Sequence, residues 1–344
     1  MSEFKKLVVL GGNGNYKLTH GIMEELRRAD VELCSSHIDM DVFGDGEPND
    51  KIVDPDRLVS ADVLLFQSMN DPVLEDQFLD LAYAAMHQFG ARSVTGILPF
   101  MRFRRQDHPK NGELDRNARL INNIASVGVT RLLFCDIHSQ ITLDNCQREQ
   151  ITAWNVDAAA AFVPHLESIV ATAKQAGREI FCYSPDEGAL EGAMTLARAL
   201  GVRVAINFKE RLPTGKVIII DKPERLAELK AQHGQDFIFG SDVLPGATVI
   251  IRDDELSTGG TARLTGWRLV EEIKAHEVVF TFTQAVCAPG WRQNFLDKSP
   301  FAAIYSGNTL EIRYSKATGG KIHRVDMASV IAAKLAEIIG EIKQ

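Results

Sequence analysis

The stretch Ala247–Thr261 reads Ala-Thr-Val-Ile-Ile-Arg-Asp-Asp-Glu-Leu-Ser-Thr-Gly-Gly-Thr. Val249–Ile251 is a β-branched run of the kind buried on both faces of a parallel sheet. Asp253 and Asp254 fall where that strand should end. Thr258-Gly259-Gly260-Thr261 then opens a helical stretch to about Lys274. Glycines let successive backbone N–H groups turn toward one point, and the helix adds its positive end, which makes a cradle for phosphate. The two acids are placed to accept hydrogen bonds from a diol. A plain strand–turn–helix corner would need only the glycines; the full order favours a ribose-phosphate site.

Outward from this corner, the chain of 344 residues is long enough for two domains. Hydrophobic residues make up 45% and charged residues 24%, a balance suited to a soluble globular protein. The formal charge of −8 gives no general attraction to nucleic acid or anionic lipid, so an anionic substrate would need local basic residues. No apolar run approaches the roughly 20 residues of a membrane span. The five cysteines show neither CxxC spacing nor a disulfide framework and read as reduced residues, several of them in apolar runs. A cytoplasmic protein without membrane or nucleic-acid partners is expected.

The first half alternates strand and helix. Leu7–Leu10 is a strand, followed by Gly11-Gly12-Asn13-Gly14-Asn15 and an amphipathic helix to about Arg28. The glycine spacing is neither GxGxxG nor GxxxxGKS, so it reads as a tight turn. Ser35–Asp41 alternates as an edge strand would, and Val42–Glu47 reads as a turn. Val63–Gln67, Val94–Leu98 and Arg131–Asp136 are strands, and Pro72–Met86 and Asp115–Ser126 are helices. The exit at Pro99–Asp107 interleaves arginines with aromatics, which suits stacking on a base and pairing with a polyphosphate.

The same rhythm restarts near Trp154–Val156. Glu179–Tyr183 and Val202–Asn207 are strands around a helix at 189–200, and Phe208–Gly215 is a basic mobile loop. A charged helix near Pro223–His233 precedes the central strand, and Val278–Ala285 and Thr309–Tyr314 are later strands. Met327, Val330, Ile331, Leu335, Ile338, Ile339 and Ile342 recur at helical period and give an amphipathic closing helix.

Taken together, these stretches resemble the phosphoribosyl pyrophosphate synthetase (ribose-phosphate diphosphokinase) family along most of the chain. Phe43-Gly44-Asp45-Gly46-Glu47 is similar to its Phe-x-Asp/Asn-Gly-Glu turn, and Gln67–Val73 to its Gln-Ser-Thr-x-x-Pro-Val segment. Arg105-Gln106-Asp107, Asp136-Ile137-His138, Ser184-Pro185-Asp186 and Lys209-x-Arg211 follow in the family order. The corner at Asp253–Thr261 resembles the signature that the family shares with type I phosphoribosyltransferases.

The resemblance implies an α/β chain of two similar phosphoribosyltransferase-type domains, each a mostly parallel sheet flanked by helices. Residues 1–155 would bind ATP, with the closing helix 325–344 able to join them, and residues 156–324 would bind ribose 5-phosphate. The implied reaction moves the β,γ-diphosphoryl group of Mg-ATP to the 1-hydroxyl of ribose 5-phosphate. Lys209 and Arg211 are the implied catalytic residues. Phe43, Asp45, Glu47, Arg105, Gln106 and Asp107 are implied for ATP, partly across a subunit boundary. Asp253, Asp254, Thr258, Gly259, Gly260 and Thr261 are implied for ribose 5-phosphate, and His138 and Asp186 for Mg²⁺. A homo-oligomer built from dimers, up to a hexamer, is also implied.

Ser257 departs from the family's usual Asp, His108–Glu113 replaces a basic stretch, Thr283-Gln284-Ala285 stands where a Thr-His pair is common, and the segment between Arg211 and Asp253 is longer than usual. Two other readings remain open here. One is a phosphoribosyltransferase using the same corner; the other is a catalytically silent subunit that regulates an active synthetase.

Overall fold

The computed structural model describes residues 6–211, 217–234, 236–297, 299–310 and 320–343. The chain divides into two compact units. One comprises Met1–Val156, Thr309–Glu311 and Met327–Gln344, and the other Asp157–Asn308 and Ile312–Asp326.

In the first unit the order is β1 (Leu7–Gly11), α1 (Tyr16–Arg28), β2 (Cys34–Ser36), β3 (Ile38–Asp39), β4 (Lys51–Ile52), β5 (Asp62–Phe66), α2 (Pro72–Tyr83), β6 (Ser93–Leu98), α3 (Arg116–Ser126), β7 (Arg131–Cys135), α4 (Ile141–Arg148) and β8 (Thr152–Val156). Six parallel strands form its sheet in the order β2-β1-β5-β6-β7-β8. β5 is buried at every residue: the apolar run Val63–Phe66 lies between two helical layers, and Asp62 at its start is paired with Arg92 and Ser93. The helices start where short polar side chains cap them. Asn15, Asp71 and Asp115 accept from the N–H groups of Leu18, Leu74 and Ala118. Pro72 occupies the first turn of α2, where its missing N–H costs nothing.

The second unit contributes α5 (Ala159–Gln175), β9 (Ile180–Ser184), α6 (Leu190–Leu200), β10 (Arg203–Ile206), β11 (Phe208–Arg211), β12 (Val217–Ile220), α7 (Pro223–His233), β13 (Phe237–Phe239), β14 (Thr248–Glu255), α8 (Gly260–Trp267), β15 (Glu277–Gln284), β16 (Ala303–Gly307) and β17 (Ile322–Val325). Its seven parallel strands run β13-β10-β9-β14-β15-β16-β17. Phe280 anchors one face of its core, with the Phe301 ring stacked at 5.2 Å and Phe295 tilted at 5.4 Å. The closing helix α9 (Ala328–Lys343) belongs to the first unit, where it packs on α1; Ala328 lies close beside Gly21.

Three sequence expectations need correction. The strand expected over Ser35–Asp41 breaks at His37: β2 pairs with β1, whereas β3 turns away to pair antiparallel with β4. Phe208–Gly215 is not simply a loop. Phe208–Arg211 forms a strand paired antiparallel with Val217–Ile220, and residues 212–215 lie outside the described ones. Thr309 and Leu310 sit in a bend rather than a strand, with 311–314 outside the described residues. The strand in that region is the five-residue β16, which ends at Gly307, two residues before Thr309. α4, α5, β8, β13 and β17 are not among the expected elements, although the apolar residues of α5 recur at helical spacing. α5 carries Pro164 as its sixth residue, inside the helix, where the missing N–H removes one i→i−4 hydrogen bond.

Candidate functional site

In each sheet the chain reverses its direction of winding once, and the second unit places its acidic corner at that reversal. From β9 the chain moves outward through β10 to β13, then returns to the other side of β9 as β14 and proceeds to β17. The carboxyl ends of β9 and β14 flank that reversal, which is the usual ligand position in such sheets. Asp186 follows β9 directly. Its Oδ1 accepts from Ala189 N at 3.2 Å, and its carbonyl accepts from Ser184 Oγ at 2.6 Å. Asp253 and Asp254 lie on the last residues of β14.

The three acids share one electrostatic neighbourhood. Burial, then the charges of Asp254 and Asp186, push Asp253 well above the usual carboxylate range. Asp254 N donates to Asp253 Oδ1 at 2.9 Å, which fixes the pair's relative orientation. Carboxylates crowded in this way are the oxygen donors a hard divalent cation uses, and such a cation would relieve their repulsion. Among the described residues, however, no three His, Cys, Asp or Glu side chains are gathered as a complete metal site. Asp186 and Asp253 thus fit a cation that keeps other ligands of its own, such as phosphate oxygens and water. His138 belongs to the other unit, so the expected His138–Asp186 ligand pair is divided between the units.

The glycines of the corner divide the work. Gly259 has φ +74°, and a Cβ there would lie 2.7 Å from Phe295 Cγ, so both backbone and packing demand glycine. Gly260, the first residue of α8, has nothing within 4 Å of a built Cβ. The fold does not need a glycine at 260, whereas a ligand approaching the first N–H groups of α8 does. Thr258 and Thr261 are exposed beside it.

Sequence reasoning missed Arg252. It is 2% exposed, on the sheet face opposite its neighbour Asp253, with its guanidinium 5.0 Å from the Phe162 ring centre. It donates to Thr283 Oγ1 at 2.8 Å and to the carbonyl of Asp253. The signal was legible: an arginine inside an otherwise β-branched run must find buried acceptors. β11 carries Lys209 and Arg211 in backbone register with Ile219 and Val217 of β12.

The first unit has the same reversal between β1 and β5, but protein fills it. Gln67 is 1% exposed, and its Oε1 accepts from Gly14 N at 2.7 Å. A Cβ on Gly12 would lie 2.6 Å from that oxygen, so Gly11–Asn15 is a tight turn closed over a glutamine. The expected nucleotide residues lie elsewhere in the unit. Phe43, Asp45 and Glu47 are exposed on a hairpin tip closed by Phe43 N to Glu47 O at 2.8 Å and Gly46 N to Phe43 O at 2.9 Å. Arg105 and Gln106 are exposed on the exit from β6, while Asp107 is buried.

Asp107 joins two strand exits. Burial opposes its ionisation, yet hydrogen bonds from Ser139 and His108 hold its carboxyl below the usual range. Ser139 follows the exposed His138, so the exits of β6 and β7 bring Arg105, Gln106 and His138 to one edge. Further residues that sequence reasoning missed fasten this loop. Phe103 adopts φ +60° with the Arg102, Arg116 and Arg119 guanidiniums 4.5, 5.5 and 5.4 Å from its ring centre. Buried Glu75 pairs with Arg102 at 2.7 Å and Arg119 at 3.0 Å. Buried Asn117 donates to Thr142 Oγ1 at 3.0 Å, and its backbone N–H reaches Gln106 O. No spacing rule marks these partners, because they come from α2, α3 and α4.

Residues 7–128 match the family described as the N-terminal domain of ribose phosphate pyrophosphokinase. The chain is 28% identical over 342 residues to a ribose-phosphate pyrophosphokinase of Rhodopirellula baltica, covering 98% of this chain and 96% of that protein. It is 26% identical to one from Sulfurisphaera tokodaii, covering 96% and 100%. The crystal structure of phosphoribosylpyrophosphate synthetase from Mycobacterium smegmatis superposes with a TM-score of 0.74 at 21% identity. That match covers 98% of this chain and all of the other, and it establishes likeness of fold.

Proposed function

We propose that this chain, like the ribose-phosphate pyrophosphokinases it resembles along nearly its whole length, transfers the β,γ-diphosphoryl group of Mg-ATP to the 1-hydroxyl of ribose 5-phosphate. The products are phosphoribosyl pyrophosphate and AMP. The observation that carries the reading is the β14–α8 corner, where paired acids and an unobstructed helix start sit at the winding reversal beside Asp186.

The N–H groups at Gly260 and Thr261 take the 5-phosphate, together with the hydroxyls of Thr258 and Thr261, in the turn that Gly259 shapes. Asp253 and Asp254 take the ribose diol. With the 5-phosphate and the diol held, the anomeric hydroxyl is the nucleophile left free. Phe43, Asp45, Glu47, Arg105 and Gln106 hold adenosine, and Asp107 sets the loop that presents them. Lys209 and Arg211 meet the charge that develops on the transferred group, because phosphoryl transfer needs positioning and neutralisation more than covalent help. Asp186 would hold Mg²⁺ directly or through water, and His138, in the other unit, is the second residue proposed for it; the ion would supply neutralisation of phosphate charge. The protein works in the cytoplasm as a homo-oligomer.

The test is which bond of ATP breaks. Attack at the β-phosphorus expels AMP, whereas a sugar kinase attacks the γ-phosphorus and expels ADP. ATP labelled at the β position should give labelled sugar product and AMP in equal amounts, and only with ribose 5-phosphate present. Label in ADP would refute the reading. A phosphoribosyltransferase or a silent regulatory subunit would release no AMP.

A further inference from the structure

Gln77 stands at the centre of a buried amide network that ends at the hairpin bearing Phe43, Asp45 and Glu47. It is 7% exposed, on α2. Its Oε1 accepts from Asn13 N at 2.9 Å and from Gln67 Nε2 at 3.0 Å. Gln67 is itself fixed, donating to Leu74 O at 3.1 Å and accepting from Gly14 N. With the oxygen engaged twice, Gln77 Nε2 must face the other way. There it donates to Asp50 Oδ2 at 2.7 Å and approaches Met40 Sδ at 3.7 Å. Met40 and Asp50 flank the hairpin's closing bridge, Val42 to Pro48, one on each arm.

The contact to Asp50 works against the local field. Asp80, one turn further along α2, is pushed up by burial and by the charges of Asp76 and Asp50. The exposed Asp50 is therefore repelled by the acids of α2, and Gln77 supplies the donor that holds it there. A neutral donor with an immobilised oxygen end gives this tether a single geometry.

We propose that Gln77 is a positioning residue for the nucleotide: it ties the base of the Phe43–Glu47 hairpin to the filled reversal of the first sheet. The proposal rests on the reading that this hairpin binds ATP.

Gln77→Glu keeps the shape and the two accepted hydrogen bonds but sets a carboxylate against Asp50. In the full chain it should raise KM for ATP on the order of tenfold, the size of one lost hydrogen bond to a charged group. kcat and KM for ribose 5-phosphate should hold. The swap Q77E/D50N restores the pair with donor and acceptor exchanged and should recover most of the loss, which a merely structural role would not do. Asp50→Ala, an exposed change that leaves the core intact, should reproduce the effect of Q77E if that variant folds poorly. Amide hydrogen exchange over residues 41–50 without ligand reports on the tether alone. Faster exchange in Q77E and D50A, reversed in the swap, is expected; unchanged exchange overturns the tether. Faster exchange with KM for ATP unmoved would overturn the positioning role and locate the error in the nucleotide reading of the hairpin.

Discussion

Gly259 is pressed against Phe295: a Cβ at 259 would lie 2.7 Å from the ring's Cγ, in a backbone already at φ +74°. The next residue, Gly260, meets nothing within 4 Å. Adjacent glycines thus answer to different demands, one from the core and one from the proposed ligand.

Gly259→Ala should therefore cost stability, by about 1–3 kcal/mol for strain and overpacking together, seen as a lower urea midpoint. Gly260→Val should leave that midpoint within roughly 1 kcal/mol, the helix-propensity scale, yet abolish ribose 5-phosphate binding in titrations while ATP still binds. Equal losses in the two variants would mean that the pair is merely structural.

Asp253 carries a pH signature. Its folded pKa lies above its unfolded value, so the stability linked to its proton is present at low pH and lost as pH rises through the folded value. Asp253→Asn removes that loss. Its melting temperature should exceed the parent's at neutral pH, by about 2–4 °C per kcal/mol relieved. The gain should fade toward about pH 4, where an ordinary carboxylate also protonates. Ribose 5-phosphate affinity should fall in the same variant. A Tm gain that does not vary with pH would dissociate Asp253 from the acidic crowding.

Arg252 holds the carbonyl of Asp253 and the hydroxyl of Thr283 from the far face of the sheet. Arg252→Met fills much of the same volume but donates nothing. It should weaken ribose 5-phosphate binding on the order of tenfold, the worth of a charged hydrogen bond, while KM for ATP stays near that of the parent. Arg252→Lys should recover part of the effect. Kinetic constants for both substrates decide it: a matched rise in the two KM values would indicate general loosening.

Lys209 is expected to act on charge that appears only as the diphosphoryl group moves. Lys209→Ala should cut kcat on the order of 10²-fold or more and change either KM far less. An unchanged kcat would remove β11 from the mechanism.

Much of the fold is determined locally and was legible in the sequence. Strands such as Val249–Ile251 are β-branched apolar runs, and caps such as Asp71 with Pro72 mark helix starts within a few residues. The Asp253–Thr261 corner was equally legible, since strand, acids, glycines and helix follow one another without interruption. Tertiary structure decided what depends on strand order. Sequence periodicity cannot say that β14 returns beside β9, yet that neighbour relation brings Asp186 to Asp253, 67 positions further on in the numbering, where its charge adds to burial and Asp254 in holding the Asp253 carboxyl up. The same holds for Gln67, which read as part of a strand and proved to plug the reversal of the first sheet. It holds also for Asp107, expected at a ligand and found buried between Ser139 and His108. A buried polar side chain takes its meaning from the partner that satisfies it, and here those partners come from distant turns of the chain.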